Sequence, residues 1–218
     1  MNERPITTLL FDFDGTLLDT NELITQTFLT VLGERFPGKY DRESVLPFNG
    51  PTLKQTFDAI DPEMSDELLA AYYKVNQTLH DELAVEFEGV SETLNKLKAH
   101  GFKMAIVSSK RRDSLDKSMK LISAREVFDV IIGADDVTNP KPDPEPILLA
   151  LEQLGASKDE SLMIGDNYHD IVGGQNAGVR TAGVAWSAKG EQYLATFNPD
   201  YMLQHISDLL EITGVGVK

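Results

Sequence analysis

Apolar and polar positions along the chain fall into two textures. A strand-like apolar run, Leu9-Leu10-Phe11, stops at Asp12-Phe13-Asp14, and the Gly15-Thr16 that follows suits a tight turn rather than more strand. From about 18 to 83 the apolar positions recur at helical spacing. Leu23, Phe28, Leu29 and Leu32 mark one face, Leu53, Phe57 and Ile60 a second, and Leu68, Leu69, Tyr72, Tyr73, Val75 and Leu79 a third. Gly33, Phe36-Pro37-Gly38, Leu46-Pro47-Phe48-Asn49-Gly50-Pro51 and Asp61-Pro62 interrupt this pattern, which predicts three or four helices with little strand character.

Beyond Phe87 short apolar runs alternate with helical stretches. The pattern predicts helices over about 92–100, 112–121, 145–154, 171–177 and 206–212, and strands over 103–107, 128–132, 161–165 and, last, 181–185. This is an α/β fold, a Rossmann-like parallel-sheet core with helices on both faces. The helical stretch interrupts the first strand-to-helix step. It therefore reads as a small inserted cap domain, 18–83, on a core formed by 1–17 and 84–218. Ligands of such sheets sit at the carboxyl ends of the strands, near the point where strand order reverses. Asp12, Ser108 and Asp166 each follow a predicted strand directly, and Lys141 lies in the loop beyond another, so all four are expected at one edge.

Composition narrows the function classes. The 218 residues, 41% hydrophobic and 25% charged, suit a globular protein with a large core, and no apolar stretch approaches the ~20 residues that span a bilayer. The first strand begins too early for a signal peptide, so a cytoplasmic protein with no membrane partner is expected. Absence of cysteine excludes disulfides, thiolate metal sites and a cysteine nucleophile. A formal charge of −15 repels nucleic acid and anionic membranes, and it repels phosphate as well. A phosphate site in this chain must supply its own positive charge from a metal ion, a lysine or backbone N–H groups.

Taken singly, each candidate has an ordinary structural reading. Asp12 and Asp14 can be a solvated surface pair, Ser108 a helix cap, Lys141 a loop lysine, and Gly165-Asp166-Asn167-Tyr168-His169-Asp170 an N-cap with an acidic first turn. Four such motifs in order, each at or just past a strand end, point instead to one site.

In that arrangement the chain resembles, over nearly its whole length, the haloacid dehalogenase superfamily of aspartyl-phosphate phosphatases. The resemblance rests on Asp12-Phe13-Asp14-Gly15-Thr16, Ser108, Lys141 in Lys-Pro-Asp-Pro, and Gly165-Asp166 with Asp170 four residues on. It implies that Asp12 is the nucleophile and a metal ligand. Asp14 would be the general acid/base, with its carbonyl on the metal. Ser108 would donate to the phosphoryl oxygens, Lys141 would be a fixed cation, and Asp166 would bind Mg²⁺, with Asp170 a second ligand or an orienting group. Ser109, a further implied substrate contact, stands where the family commonly has asparagine. The insert resembles the smaller, four-helix kind of cap. Its loop at 48–53 resembles the family's substrate-specificity loop, which implies that Gly50 contacts substrate.

Elementary chemistry agrees with those roles. An aspartate nucleophile divides a slow hydrolysis into two displacements, and Mg²⁺ prefers hard oxygen ligands together with substrate oxygens. Dehalogenases of the superfamily lack an acid at the position of Asp14 and phosphonatases carry a small residue there, so the resemblance implies P–O hydrolysis rather than C–halogen or C–P cleavage. Lys54, which follows the cap loop, then reads as a surface helical lysine. His169 is set aside as a ligand because Mg²⁺ takes oxygen before imidazole, and Trp186 reads as a packing residue at the site rim.

Cap-bearing members of the superfamily include phosphoglycolate phosphatases, sugar phosphomutases and bacterial inorganic pyrophosphatases. Thr20-Asn21-Glu22-Leu23-Ile24, Val45-Leu46-Pro47-Phe48, Asp143-Pro144-Glu145-Pro146, Gly183-Val184-Ala185-Trp186 and Pro199-Asp200-Tyr201-Met202-Leu203 are most similar to the last. That likeness implies pyrophosphate as substrate. The alternatives are a small phosphomonoester such as phosphoglycolate, a sugar phosphomutase, or a binding protein without turnover. Pyrophosphate is small and highly charged, so a cap selecting it is expected to offer polar or cationic groups rather than a large apolar pocket. Lys110, Arg111 and Arg112 can supply such charge or can be a solvated helix start. The oligomeric state is not readable from the sequence.

Overall fold

The computed structural model describes residues 4–216. Six strands form one parallel sheet in the order β5-β4-β1-β6-β7-β8. They are β1 (Thr8–Phe11), β4 (Lys103–Val107), β5 (Val130–Ile132), β6 (Ser161–Gly165), β7 (Arg180–Val184) and β8 (Tyr201–Leu203). Beyond their first residues Thr8, Lys103 and Ser161, the central strands carry no polar side chain, because both faces are covered. Leu9 and Phe11, Met104 and Ile106, and Leu162 and Ile164 point into one core, whereas Leu10, Ala105, Val107 and Met163 point into the other.

The first core is closed by helices α5 (Val90–Ala99), α6 (Arg112–Met119) and α10 (Asp208–Ile212), and the second by α7 (Glu145–Leu154) and α8 (Tyr168–Ala177). A short helix, α9 (Glu191–Ala195), follows β7. Between β1 and β4 the chain forms helices α1 (Asn21–Arg35), α2 (Arg42–Val45), α3 (Leu53–Ile60) and α4 (Ser65–Leu83). These have a core of their own around Phe28, Val31, Leu32, Phe57, Leu68 and Tyr72. The Phe28 ring lies 4.8–5.6 Å from the rings of Phe48, Phe57 and Tyr72. Leu23 at the start of α1, and Leu79 and Leu83 at the end of α4, pack instead on the sheet.

Besides the short helix α9, which the periodicity does not predict, the structure departs from the sequence expectation in three places. The helical stretch is flanked by a small antiparallel ribbon, β2 (Leu18–Asp19) with β3 (Val85–Glu86). Two-residue strands are too short to show alternation. The sheet does not end at β7, because β8 adds a parallel edge strand whose three residues pair on one side only. The strand expected over 128–132 begins at Val130, because the preceding residues form a 3₁₀ turn at Arg125–Val127. Among the described residues no helix is long and apolar enough to cross a membrane.

Leu10 is fully buried between β4 and β6. Leu10→Ala is expected to cost about 2–5 kcal/mol of stability, read from the shift in urea midpoint, because a cavity flanked on both sides by hydrogen-bonded strands relaxes little.

Candidate active site

Strand register brings the candidate residues together. Phe11 pairs with Ile106 on one side and Ile164 on the other. Asp12 therefore stands one residue past the paired row, and Ser108 and Asp166 two residues past it, on three adjacent strands. Sheet order also reverses here: the chain first adds β4 and β5 on one side of β1, then crosses to β6 on the other.

Asp12, Asp166 and Asp170 are buried, and one carboxylate oxygen from each lies within 4.8 Å of the others. Lys141 reaches into this cluster from the loop beyond β5. Its Nζ donates to Asp12 Oδ1 at 2.9 Å, to Asp170 Oδ1 at 2.6 Å and to the Val107 carbonyl at 2.6 Å. Its side chain is only 2% exposed. Asp170 has a second partner: its Oδ2 accepts from the Asn167 backbone N–H at 3.0 Å, an N-cap interaction at the start of α8. The capping reading of Gly165–Asp170 and the site reading thus describe the same residues.

Three buried carboxylates facing one ammonium leave uncompensated negative charge. Burial, together with the neighbouring carboxylates, pushes the Asp12 carboxyl up to about 7 against the pull of Lys141, and burial likewise holds Asp166 well above the ordinary carboxylate range. Burial alone would lower the pKa of Lys141, but the Asp12 and Asp170 charges raise it. Three hard oxygen donors with excess negative charge, at this spacing, fit a small divalent cation such as Mg²⁺.

Asp14 stands apart from that trio. Its carboxylate accepts from Lys110 Nζ at 2.9 Å, and both groups are partly buried. The two carboxylates of Asp12-Phe13-Asp14 thus take separate lysines, which offset part of their charge, although Asp14 still contributes to raising Asp12. The turn that follows Asp14 requires Gly15, which has φ +79°, and a Cβ there would fall 2.5 Å from Asp166 Oδ2. Ser108 is buried at the end of β4, and its Oγ accepts from the Lys110 N–H at 3.2 Å. Ser109 is half-buried on the cavity wall.

Of the basic residues left open by the sequence, only Lys110 joins the acidic groups. Arg111 pairs with Asp113 at 3.6 Å, and Arg112 with Asp116 at 3.1 Å. Lys54 pairs with Asp58 at 2.7 Å and Asp66 at 3.1 Å, as a helix-surface lysine would. His169 is buried with Nδ1 3.0 Å from Asn167 Oδ1, and burial beside Lys141 and Lys189 depresses its pKa to about 3. Trp186 packs against Phe87 and donates to the Thr16 carbonyl at 3.3 Å, a rim-packing role.

Two core residues that the sequence reading passed over hold the cap loop. The Asn49 carbonyl accepts from Asn167 Nδ2 and from Lys189 Nζ, each at 2.9 Å. Gly50 follows at φ +115°, where a Cβ would lie 2.6 Å from the Asn167 amide. Lys189 sits in the segment after β7, another strand's carboxyl end, and that placement was the available signal.

A cavity of about 570 Å³ connects Asp12, Asp14, Ser108 and Lys141 with the inner side of the helical insert. With that geometry in view, the family model for haloacid dehalogenase-like hydrolases matches residues 9–184. The chain belongs to the haloacid dehalogenase-like hydrolases. It is 50% identical, over 99% of its own length and 100% of the relative's, to pyrophosphatase PpaX of Bacillus velezensis. Pyrophosphatase PpaX of Bacillus cereus strain B4264 is 51% identical over 95% of this chain and 96% of its own. A solved haloacid dehalogenase-like hydrolase from Bacteroides fragilis superposes with a TM-score of 0.87 at 30% identity, covering 94% of this chain and 99% of that one. As a hydrolase of this family, the chain carries its buried acidic residues where the family's fold reverses strand order.

Two outcomes are expected. In EDTA, stability should fall as pH rises from about 4 toward 7, because the native state keeps protons on Asp12 and Asp166 that the unfolded chain releases. Urea midpoints at pH 5 and 7.5 should show this drop, and Asp12→Asn should lessen it. Gly50→Ala, forced against Asn167 at a positive φ, should loosen the loop and speed amide hydrogen exchange across residues 46–53 while exchange in the central strands stays unchanged.

Proposed function

We propose that this hydrolase splits inorganic pyrophosphate in a Mg²⁺-dependent reaction through a phosphorylated Asp12. The observation that carries this reading is the buried Asp12–Asp166–Asp170 cluster around Lys141, with Asp14 placed separately beside it. Whole-length similarity to two PpaX pyrophosphatases supports the choice of substrate.

Asp12 attacks one phosphorus of pyrophosphate, and the bridging P–O bond breaks as the other phosphate leaves with a proton from Asp14. Water then attacks the aspartyl phosphate at phosphorus, Asp14 accepts its proton, and orthophosphate departs from the regenerated Asp12 carboxylate. Lys141 offsets negative charge on the transferring group, and Ser108 Oγ donates to one of its oxygens, while Ser109 and Gly50 flank the substrate. Asp12, Asp166 and the Asp14 carbonyl would hold Mg²⁺, with Asp170 orienting Lys141 and contributing at longer range; when bound, the ion supplies Lewis-acid stabilisation of phosphoryl charge. Lys110 holds Asp14 in place between the two proton transfers. Residues 18–83 act as a cap on the core formed by 1–17 and 84–218. The Asn49 clamp seats the cap loop over the acidic cluster, which keeps bulk water away from the acyl phosphate.

Phosphate release from pyrophosphate and from phosphoglycolate, each with Mg²⁺, tests the reading. Asp12→Asn is expected to lower kcat on pyrophosphate by a factor on the order of 10⁴ or more, and Asp14→Asn by about 10²–10⁴. Full activity of Asp12→Asn would remove the covalent route, and a preference for phosphoglycolate would remove pyrophosphate as the substrate.

A further inference from the structure

The insert and the sheet have separate cores, and the chain passes from one to the other inside helices rather than between them. In α1, Leu23 packs in the sheet core and Phe28 in the insert core; in α4, Tyr72 and Val75 belong to the insert core but Leu79 and Leu83 to the sheet core. The connecting segments are themselves built into the core. Leu17, Leu18 and Ala84 are buried among the sheet's apolar side chains, and the Phe87 N–H donates to the Leu17 carbonyl at 3.2 Å beside the β2–β3 pairing. Connectors held in this way are poor places for a domain to swing.

The end of α4 is also tied to α6. His80 and Ser118 are both buried, His80 Nε2 lies 2.8 Å from Ser118 Oγ, and His80 Nδ1 donates to the Asp81 carboxylate at 2.8 Å. Aspartate, histidine and serine in that order are the parts of an activated nucleophile, but Ser118 is fully buried and neither it nor His80 lines the cavity, so no substrate reaches them. The bond instead joins two bodies, and breaking it would strip each buried group of its partner. Next to it, both bounding helices carry softened ladders at one level. In α1, Thr27 Oγ1 donates to the Leu23 carbonyl at 2.6 Å, an i−4 contact of the kind that bends helices. In α4, the Gln77 carbonyl accepts from Lys117 Nζ of the core at 3.4 Å, in competition with that helix's own hydrogen bonds. Asn76 Nδ2 lies 3.5 Å from Thr27 Oγ1, so the two positions face each other.

We infer that the body that swings is about 24–76 rather than the whole insert: the cap pivots near Thr27 and Gln77, and His80 is a positioning residue that holds the last turn of α4 on the core. The pivot rests on the reading of residues 18–83 as a cap. With its base fixed on α6, α4 carries the insert at a set height above the sheet, which lets the Asn49 carbonyl meet Asn167 and Lys189. His80 thereby acts on the site from outside it, through the position of the cap and not through substrate.

Because the chain has no cysteine, introduced cysteines can carry spin labels without background. Glu34 on α1, Glu82 at the end of α4 and Glu152 on α7 are exposed, and Glu34→Cys or Glu82→Cys is paired with Glu152→Cys. The 34–152 and 82–152 distances are measured by pulsed electron resonance with and without Mg²⁺ plus inorganic phosphate. The first is expected to shift, or to narrow from two populations to one, while the second stays a single unmoved peak. Movement of 82–152 together with 34–152 would overturn the pivot and put the hinge in the ribbon. A 34–152 distance that never changes would overturn both the pivot and the cap motion, and pyrophosphate hydrolysis by the labelled proteins reads the chemistry at Asp12 separately. His80→Ala is expected to broaden the 82–152 distribution and to lower kcat/KM about two- to tenfold, the factor of one hydrogen bond, and His80→Gln to restore both. An 82–152 peak left narrow by His80→Ala would remove His80 as the anchor. Since both distances are first measured with His80 intact, a His80 variant that fails to fold leaves the test of the pivot decisive.

Discussion

Three buried carboxylates that share one lysine are the constraint on which the rest of this structure depends. Asp12, Asp166 and Asp170 stand on two adjacent strand ends and the helix that follows, close enough to repel one another in a low-dielectric setting. Lys141 offsets part of that repulsion through short hydrogen bonds to Asp12 and Asp170, and burial together with the remaining repulsion raises the Asp12 and Asp166 pKa values. Such a site is electrostatically incomplete by construction. Its donor set fits a divalent cation, whose charge, with that of Lys141, would offset the field of a chain of formal charge −15 at the phosphate site.

That cluster also dictates the backbone around it. Gly15 lets the first turn pass against the Asp166 carboxylate, and Gly165 leaves room for Asp170, whose Cγ would lie 2.2 Å from a Cβ there. Gly50 brings the cap loop onto Asn167, and the Asn49 carbonyl is held by two donors from the core. The insert is thereby tied to the same few residues that hold the acidic cluster. Cap position and site electrostatics share Asn167, whose backbone N–H serves Asp170 and whose side chain serves Asn49.

Much of this was legible in the chain because the signals were local. Apolar runs such as Lys103–Val107 and Ser161–Gly165 match the observed strands residue for residue, and Asp12, Ser108 and Asp166 could be placed because each ends such a run. Features shorter than a period were not legible. The Leu18–Asp19 and Val85–Glu86 ribbon and the edge strand Tyr201–Leu203 owe their conformation to pairing with distant segments, and a window of two or three residues carries no alternation. Lys110 and Arg112 look alike in sequence, yet one meets Asp14 and the other Asp116.

By itself the sequence determined the α/β class, the helical interruption after the first strand, the four motifs and the shortage of positive charge, since these follow from local periodicity and residue type. Only the tertiary structure decided which lysine serves which carboxylate, that Lys189 and Asn167 clamp the cap loop, and that His80 meets Ser118 at the end of α4. Those outcomes depend on distances between residues 29 to 140 positions apart, and no local pattern encodes them.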